Sequence, residues 1–276
     1  MINAVGNRMT REIGRQSRLA DALERTQIQI STGLRMQRMS DDPVAARRIL
    51  TIGTTQASMA SWQTNIKSAQ AQVAQADGLL KSTSDLLARA NELTLSAANG
   101  TMSPTDRATI AAELSAIADE IDGLAATRDA NGEPLFAAGA ARVTRFDSDV
   151  SFAPVPSAAT AFVVGGNSLS TGLRDAATAI AAGDKPGIDA ALTGVTAAIA
   201  HVADQNAALG LSAGRLERIG EGLSARGIEV ADERQSIEET DLETAIAQLN
   251  AQDLTLGAAQ AAFAKINRQT LFDLLT

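Results

Sequence analysis

The chain has 276 residues, with no Cys, no Tyr, one Trp, one His and a formal net charge of −8. A general nucleic-acid or anionic-membrane binder needs a basic face, so this charge argues against both classes. The lack of Cys excludes disulfides and thiolate metal ligands, and the high Ala content favours helices that approach each other closely.

The first sixteen residues, MINAVGNRMTREIGRQ, carry charges where a signal peptide would need an apolar run. The sequence has no uncharged apolar stretch of about 18 residues, so no membrane-spanning helix is predicted. If the protein leaves the cell, we expect it to use a route that needs no cleaved signal peptide.

The N-terminal segment predicts an amphipathic helix. Gln16 and Gln27 interrupt its apolar stripe, which consists of Met9, Ile13, Ala20, Leu23 and Ile30. The stripe favours packing against another helix, because an amphipathic helix needs a surface that covers its apolar side.

A long helix is predicted from about residue 43 to about residue 98. Asp42 is placed to cap it, and Pro43 suits its first turn. Steps of three and four residues then alternate through uncharged positions, which are Ile52, Thr55, Met59, Trp62, Ile66, Ala69, Val73, Ala76, Leu80, Thr83, Leu87 and Ala90. A heptad seam of this length requires a coiled-coil partner.

A shorter helix follows a turn at Asn99-Gly100. Ser103 can cap it, Pro104 suits its first turn and Asp106 favours its dipole. Its apolar stripe consists of Ile110, Leu114, Ile117, Ile121 and Leu124. The two helices therefore predict an antiparallel hairpin.

The middle of the chain, residues 131–171, predicts a small β-rich insertion. Asn131-Gly132 is a turn signal. Short β-prone runs lie at residues 141–146, 150–152 and 161–164, separated by Pro and Gly. The segment is too short for a large core of its own.

A second long heptad seam offers the first one a partner. It runs through Ile188, Leu192, Val195, Ile199, Val202, Asn206, Leu209, Ala213, Leu216, Gly220, Leu223, Gly227 and Val230. Glycine weakens a helix, so Gly220 and Gly227 suggest either close backbone approach or a local bend.

The last helix is predicted to begin at a capping box, Thr240-Asp241-Leu242-Glu243. Asp253 and Gln260 interrupt its apolar stripe, which consists of Leu242, Ile246, Leu249, Leu256 and Phe263. The two terminal stripes can pair, but the polar interruptions make such a pair marginal. We therefore expect both termini to be largely disordered in a dilute monomer and to become stable against other copies.

No catalytic residue, metal site or cofactor is predicted. His201 has no second His or Cys to share a metal or a reaction. Asp41 and Asp42 precede Pro43 and are interpreted as capping groups rather than a catalytic pair. The sequence thus indicates a protein that is not an enzyme.

Seven segments carry a family resemblance. They are residues 31–35 (STGLR), 40–46 (SDDPVAA), 98–101 (ANGT), 106–114 (DRATIAAEL), 127–132 (TRDANG), 239–245 (ETDLETA) and 269–275 (QTLFDLL). In this order they resemble the bacterial flagellin family. Ser40, Asp41, Asp42 and Pro43, together with the LFDL ending, are most similar to the hook-associated members of that family, which join hook to filament.

The resemblance implies a mainly α fold, an elongated antiparallel helical bundle or coiled coil with its N- and C-terminal helices paired and a small β-rich insertion. It implies three parts. Residues 1–40 with 240–276 would be terminal assembly helices, residues 41–130 with 172–239 a helical rod, and residues 131–171 an outer domain. Self-assembly would use Met9, Ile13, Leu23, Ile30, Leu242, Ile246, Leu249, Leu256, Phe263, Leu271 and Leu274.

The implied partners are copies of the same chain in a ring, a neighbouring hook-associated protein, flagellin and an export chaperone, with no nucleic acid and no membrane. Export would use the flagellar type III apparatus, which places the protein in the extracellular flagellum. Two alternatives remain open at this point. The chain could be a filament flagellin, or a secreted coiled-coil adaptor or adhesin.

Overall fold

The computed structural model describes the backbone of residues 2–100 and 102–273 and the side chains of residues 9–100 and 102–265. These residues form seven helices, α1 (Ile2–Thr32), α2 (Pro43–Ala97), α3 (Pro104–Ala125), α4 (Ala158–Phe162), α5 (Leu169–Ala182), α6 (Lys185–Glu238) and α7 (Leu242–Asp273). They also form two antiparallel strand pairs, β1 (Thr144–Arg145) with β2 (Ser151–Phe152) and β3 (Val163–Val164) with β4 (Asn167–Ser168). The predicted mainly helical fold with a small β insertion is confirmed.

The chain divides into two compact units. The first contains Met1–Gln56 and Ile228–Thr276, and the second contains Ala57–Gly227. The helices α2 and α6 each contribute residues to both units. The three-part division expected from the sequence stays a prediction.

The second unit has its core along the two predicted heptad seams. Leu80 and Leu87 of α2 and Leu209 and Leu216 of α6 are fully buried. Burial of a Leu side chain contributes about 1.5–3 kcal/mol, so a seam of this length is a strong source of stability. A Cβ added at Gly220 of α6 would lie 3.7 Å from Cγ2 of Ile66, which places α6 beside α2 there.

The helix α3 packs closely against α5 in the same unit. Ser103 caps α3 as predicted, since its Oγ accepts a hydrogen bond from the Asp106 amide at 3.1 Å. Arg174 of α5 donates to Asp119 and Asp122 of α3, both at 2.7 Å. These contacts hold α5 on the hairpin that α2 and α3 form.

The insertion between α3 and α5 is less β-rich than predicted. The strands are short, and in the two pairs Thr144 lies opposite Phe152 and Val163 opposite Ser168. The expectation of a strand from residue 161 is wrong at its first two positions, because residues 161 and 162 end α4. Ser157 starts that helical turn by accepting a hydrogen bond from the Thr160 amide at 3.2 Å.

Two aromatic contacts and several polar contacts hold the insertion in place. The rings of Phe136 and Phe162 pack edge to face with 4.9 Å between their centroids, and the centroids of Phe146 and Phe152 lie 4.7 Å apart. Side chains of α2 and α6 bind the insertion through the pairs Asn65–Arg145, Gln72–Asp129, His201–Thr160 and Arg226–Asp147. Side chains of α2 and α6 therefore attach the insertion to the helices of its own unit.

Gly183 is the position where glycine is required. It ends α5 with a φ of 70°, and a Cβ there would lie 3.3 Å from the guanidinium of Arg107. We expect Gly183→Ala to lower the free energy of unfolding by about 1–2 kcal/mol, because the left-handed backbone is strained for Ala and Arg107 must move. Gly78→Ala in α2 is the control, since nothing lies within 4 Å of its added Cβ. Denaturant unfolding should show Gly78→Ala stabilised by about 0.5–1 kcal/mol, and an equal gain for Gly183→Ala would contradict the assignment.

Asp147 provides a pH-dependent contact in the second unit. Its side chain is mostly buried, and the hydrogen bond from Arg226 lowers the pKa of its carboxyl below the usual value. A lowered folded pKa gives stability that is complete above the unfolded pKa of about 4 and is lost as pH falls through the folded pKa.

We expect Asp147→Asn to lower the free energy of unfolding by about 1–2 kcal/mol at pH 7. The difference from the wild-type chain should shrink as the pH falls below the unfolded pKa of Asp and disappear below the lowered folded pKa of Asp147. Denaturant unfolding of both chains at pH 7 and at acidic pH measures this difference. A difference that stays constant with pH would contradict the ion pair as the cause.

Candidate self-assembly interface

The terminal helices α1 and α7 pair in antiparallel orientation along one seam. Gln16 Nε2 donates to the Ala259 carbonyl at 3.4 Å, and Thr26 Oγ1 donates to Gln252 Oε1 at 3.0 Å. The covered positions follow heptad spacing, Gln16, Leu19, Leu23, Thr26 and Ile30 on α1 and Ala245, Leu249, Gln252, Leu256, Ala259 and Phe263 on α7. The expected pairing of the two ends is confirmed.

The seam differs from the two stripes predicted from apolar residues. Thr26 is buried and Gln252 half-buried, because the hydrogen bond between them satisfies both side chains away from water. Both residues are polar and so fall outside the predicted apolar stripes, and Gln16, predicted as an interruption, lies in the seam. The spacing 245, 249, 252, 256, 259 and 263 was the signal that could have found them.

The predicted assembly residues fall into two groups. Leu23, Ile30, Leu249, Leu256 and Phe263 are half-buried in the seam. Met9 and Ile13 are 43% and 53% exposed, and Leu242 and Ile246 are 49% and 48% exposed. The side chain of Leu271 and all of Leu274 lie outside the described residues.

Ile13 and Ile246 are exposed apolar residues on one side of the α1–α7 pair, whereas Ile28 and Leu254 are exposed on the outer faces of their helices. A helix turns by about 100° per residue, so Ile13 flanks the seam on one side of α1 and Arg25 flanks it on the other. Ile246 flanks the seam of α7 on the side opposite Gln248 by the same count.

Met9 and Leu242 keep the heptad spacing of the seam, since they lie seven residues before Gln16 and Leu249. Both are exposed near the starts of their helices.

A cleft shows which flank of α1 lies on the same side of the pair as which flank of α7. Arg25 of α1 and Gln248 of α7 line it together. Arg25 and Gln248 therefore share one side of the pair, and Ile13 and Ile246 share the other, next to the exposed seam residues Met9 and Leu242. We call these the arginine side and the apolar side.

Two backbone segments pair at the base of the α1–α7 pair, where α1 ends and α7 begins. The Arg35 amide donates to the Glu238 carbonyl at 2.8 Å, and the Thr240 amide donates to the Gly33 carbonyl at 2.9 Å. These bonds form an antiparallel bridge between Leu34 and Glu239. The bridge fixes where α1 ends relative to the start of α7.

The predicted helix-start motif has the expected geometry. Asp42 Oδ1 accepts hydrogen bonds from the Val44 amide at 3.1 Å and the Ala45 amide at 3.0 Å, which makes it the cap of α2. Pro43 is the first residue of α2. Asp41 accepts from the Arg38 amide, and Ser40 is exposed in the same turn. These contacts fit capping groups and not a catalytic carboxylate pair.

The start of α7 requires a correction. Asp241, and not Thr240, caps this helix, because Asp241 Oδ1 accepts from the Glu243 amide at 3.1 Å and the Thr244 amide at 3.2 Å. The Thr244 hydroxyl also donates to Asp241, and these bonds lower the pKa of the Asp241 carboxyl. Thr240 cannot cap, since its backbone belongs to the bridge with Gly33.

The first unit has a thin core. Ile52 is its large buried aliphatic residue, and the other buried apolar residues described there are Ala45, Ala46 and Ala245. Thr55, predicted in the seam of α2, is exposed, and Gln56 is half-buried instead, where it accepts from Arg234 at 3.2 Å. Arg48 and Glu233 form an ion pair that lowers the pKa of Glu233.

The described residues hold no group of three or more acidic or histidine side chains that could bind a metal ion. The ring of His201 lies 2.9 Å from the Thr160 carbonyl, a contact that attaches the insertion to α6. None of the helices described is long and apolar enough to span a bilayer.

Comparisons with known proteins agree with this geometry. The sequence profile of the bacterial flagellin N-terminal helical region matches residues 3–141, and that of the C-terminal helical region matches residues 192–275. Among curated protein sequences, no match to the chain is found.

Two solved structures share the fold. A protein described as a flagellar hook-associated protein from Vibrio parahaemolyticus has a TM-score of 0.64 and 21% identity, over 72% of this chain and 100% of that one. FlgL from Xanthomonas campestris has a TM-score of 0.58 and 13% identity, over 67% of this chain and 99% of that one. With the paired terminal helices and both terminal profiles in place, the chain belongs to the bacterial flagellin family.

Proposed function

We propose that this chain is a non-enzymatic structural subunit at the junction between hook and filament, which assembles with its neighbours through the apolar side of the α1–α7 pair. The observation that carries the proposal is the exposure of Met9, Ile13, Leu242 and Ile246 on or next to one side of two helices. The bonds of Gln16 to Ala259 and of Thr26 to Gln252 place the first two residues near one end of the pair and the last two near the other, so they form two apolar patches. Water contact with these patches is unfavourable, so burial against another subunit stabilises both.

Exposed apolar side chains concentrate in the first unit. Of the fourteen large apolar residues that are exposed in the described chain, eleven belong to this unit and three to the second. A monomer that functions alone would not be expected to leave one unit with a thin core and an uncovered surface. The distribution supports assembly through the terminal helices and the segments next to them.

The position at the junction rests on two further observations. The segment Ser40, Asp41, Asp42 and Pro43 resembles the hook-associated members of the family, and two hook-associated or FlgL structures share the fold. The partners are further copies in a ring, an adjoining hook-associated protein and flagellin. An export chaperone and the flagellar type III apparatus would deliver the chain to the extracellular flagellum.

The three-part organisation belongs to the same proposal. Residues 1–40 with 240–276 form the inner layer, residues 41–130 with 172–239 the rod, and residues 131–171 a surface segment. The many side-chain contacts that bind the insertion to α2 and α6 support a role for it in stiffening the second unit.

Substitution on the apolar side tests the assembly surface. We expect Ile13→Asp combined with Ile246→Asp to reduce incorporation into flagella at least about tenfold, since a buried unpaired carboxylate costs several kcal/mol. The matched control is Leu95→Asp combined with Val143→Asp, which places the same charges on exposed apolar sites of the second unit. Quantitative mass spectrometry of purified flagella measures incorporation. Equal loss in both double variants would contradict a specific role of the apolar side.

The amount of protein in intact flagella distinguishes the junction from the alternatives. We expect a trace amount relative to the main filament protein, retained with hooks after the filaments are dissociated. Amounts equal to the filament protein would identify a filament flagellin. Absence from flagella would contradict the proposal and favour a secreted adaptor or adhesin.

A further inference from the structure

The arginine side of the α1–α7 pair carries exposed guanidinium groups, and Asp41 and Asp42 line the same cleft as Arg25. Arg15, Arg18 and Arg25 are exposed on this side at intervals of one or two helical turns. Arg18 Nε donates to the Gly14 carbonyl at 3.1 Å and Arg25 Nε to the Asp21 carbonyl at 3.2 Å. A guanidinium has five donors, so most of the donors of both groups remain available to an incoming carboxylate.

Charge is divided unevenly between the two ends of the chain. Residues 1–56 contain nine Arg, no Lys and five acidic residues, whereas residues 228–276 contain nine acidic and three basic residues. Both segments belong to the first compact unit. The same unit therefore carries an arginine-rich surface and an acidic surface.

The acidic surface is the exposed side of α6 near its end. Glu233 is paired with Arg48, and Glu238 with Arg234, so these two carboxylates are neutralised within the chain. Glu229 and Asp232 are exposed and take part in none of the ion pairs found among the described residues. They are the carboxylates that α6 offers to a partner.

The arginine side cannot reach these carboxylates along its own helix pair. Hydrogen bonds at Gln16 and Thr26 show that α7 runs beside α1. The segments that follow α1 and α6 meet at the bridge between Leu34 and Glu239, and Glu229 and Asp232 lie on α6 before that bridge.

We infer that the arginine side of one copy docks on Glu229 and Asp232 of a second copy. The inference rests on the proposed function and adds a second, polar contact to the apolar one. A nucleic acid or an anionic membrane is disfavoured as the occupant because the chain carries a net charge of −8. A second copy supplies the complementary charges within its own sequence.

The contact joins two different surfaces, so it is heterologous. Such a contact leaves one free surface of each kind at every step and generates a ring or a helical array instead of a closed dimer. This is the symmetry that a subunit of a tubular assembly requires.

Cross-linking between copies tests the contact, because the chain has no Cys. Full-length Arg18→Cys and Asp232→Cys copies are produced together in cells that lack the wild-type gene, and isolated flagella are treated with a short bis-maleimide. We expect a covalent dimer that contains one copy of each variant. The control replaces Asp232→Cys with Asp204→Cys, an exposed acidic position of α6 in the second unit, and should give no dimer.

Each outcome separates this inference from the proposed function. Incorporation of both variants without the dimer, or with an equal dimer in the control, would overturn the docking contact and leave the junction role intact. Failure of the wild-type chain to enter flagella would overturn the proposed function instead.

Charge reversal provides an independent measurement. Arg15→Glu with Arg18→Glu should reduce incorporation by about tenfold, because like charges then face each other across the contact. Adding Glu229→Arg and Asp232→Arg to the same chain should restore incorporation. Wild-type incorporation of the first variant, or no restoration by the second, would refute the contact.

Discussion

Two helices that pack against each other can bury one stripe on each, and their other faces stay in water. This constraint governs the first unit, where the α1–α7 seam contains half-buried Leu and Phe side chains and two hydrogen-bonded polar positions. Ordering about thirty residues in each helix costs conformational entropy that so narrow a seam offsets only in part. In the proposed assembly, further burial comes from neighbouring subunits, and the apolar side of the pair supplies the surface for it.

In the second unit, other elements of the same chain cover the apolar faces of the helices. The helix α5 covers α3, the insertion covers parts of α2 and α6, and several Leu side chains are fully excluded from water. Several of its ion pairs join different elements, as in the contacts of Arg174 with α3 and of Arg226 with the insertion. The chain thus combines a unit with a well-buried core and one with a thin core, for which we propose stabilisation by association.

Much of this organisation could be predicted from the sequence. The bounds of α2 and α3 agree with their capping residues and heptads because Asp42, Pro43, Ser103 and Pro104 act locally. The cap of α7 was placed one residue early, since the bridge that removes Thr240 from the helix involves Gly33, which is distant in sequence.

The candidate interface was predicted only in part for a related reason. Apolar periodicity finds side chains that avoid water but cannot tell whether a partner helix or another subunit covers them. Thr26 and Gln252 keep the heptad spacing of the seam, but a search for apolar residues passes over them, and the bond between them joins the two ends of the chain. Ile13 and Ile246 were grouped with seam residues although they lie beside the seam.

The backbone bridge at Leu34 and Glu239 has a mechanical consequence. A helix pair connected to its neighbours through a single strand can swivel about that strand's freely rotating bonds. Here two backbone segments run side by side and are joined by hydrogen bonds. Rotation of the helix pair about its axis would therefore have to wind one segment around the other. The base of the α1–α7 pair therefore resists torsion about the axis of the pair.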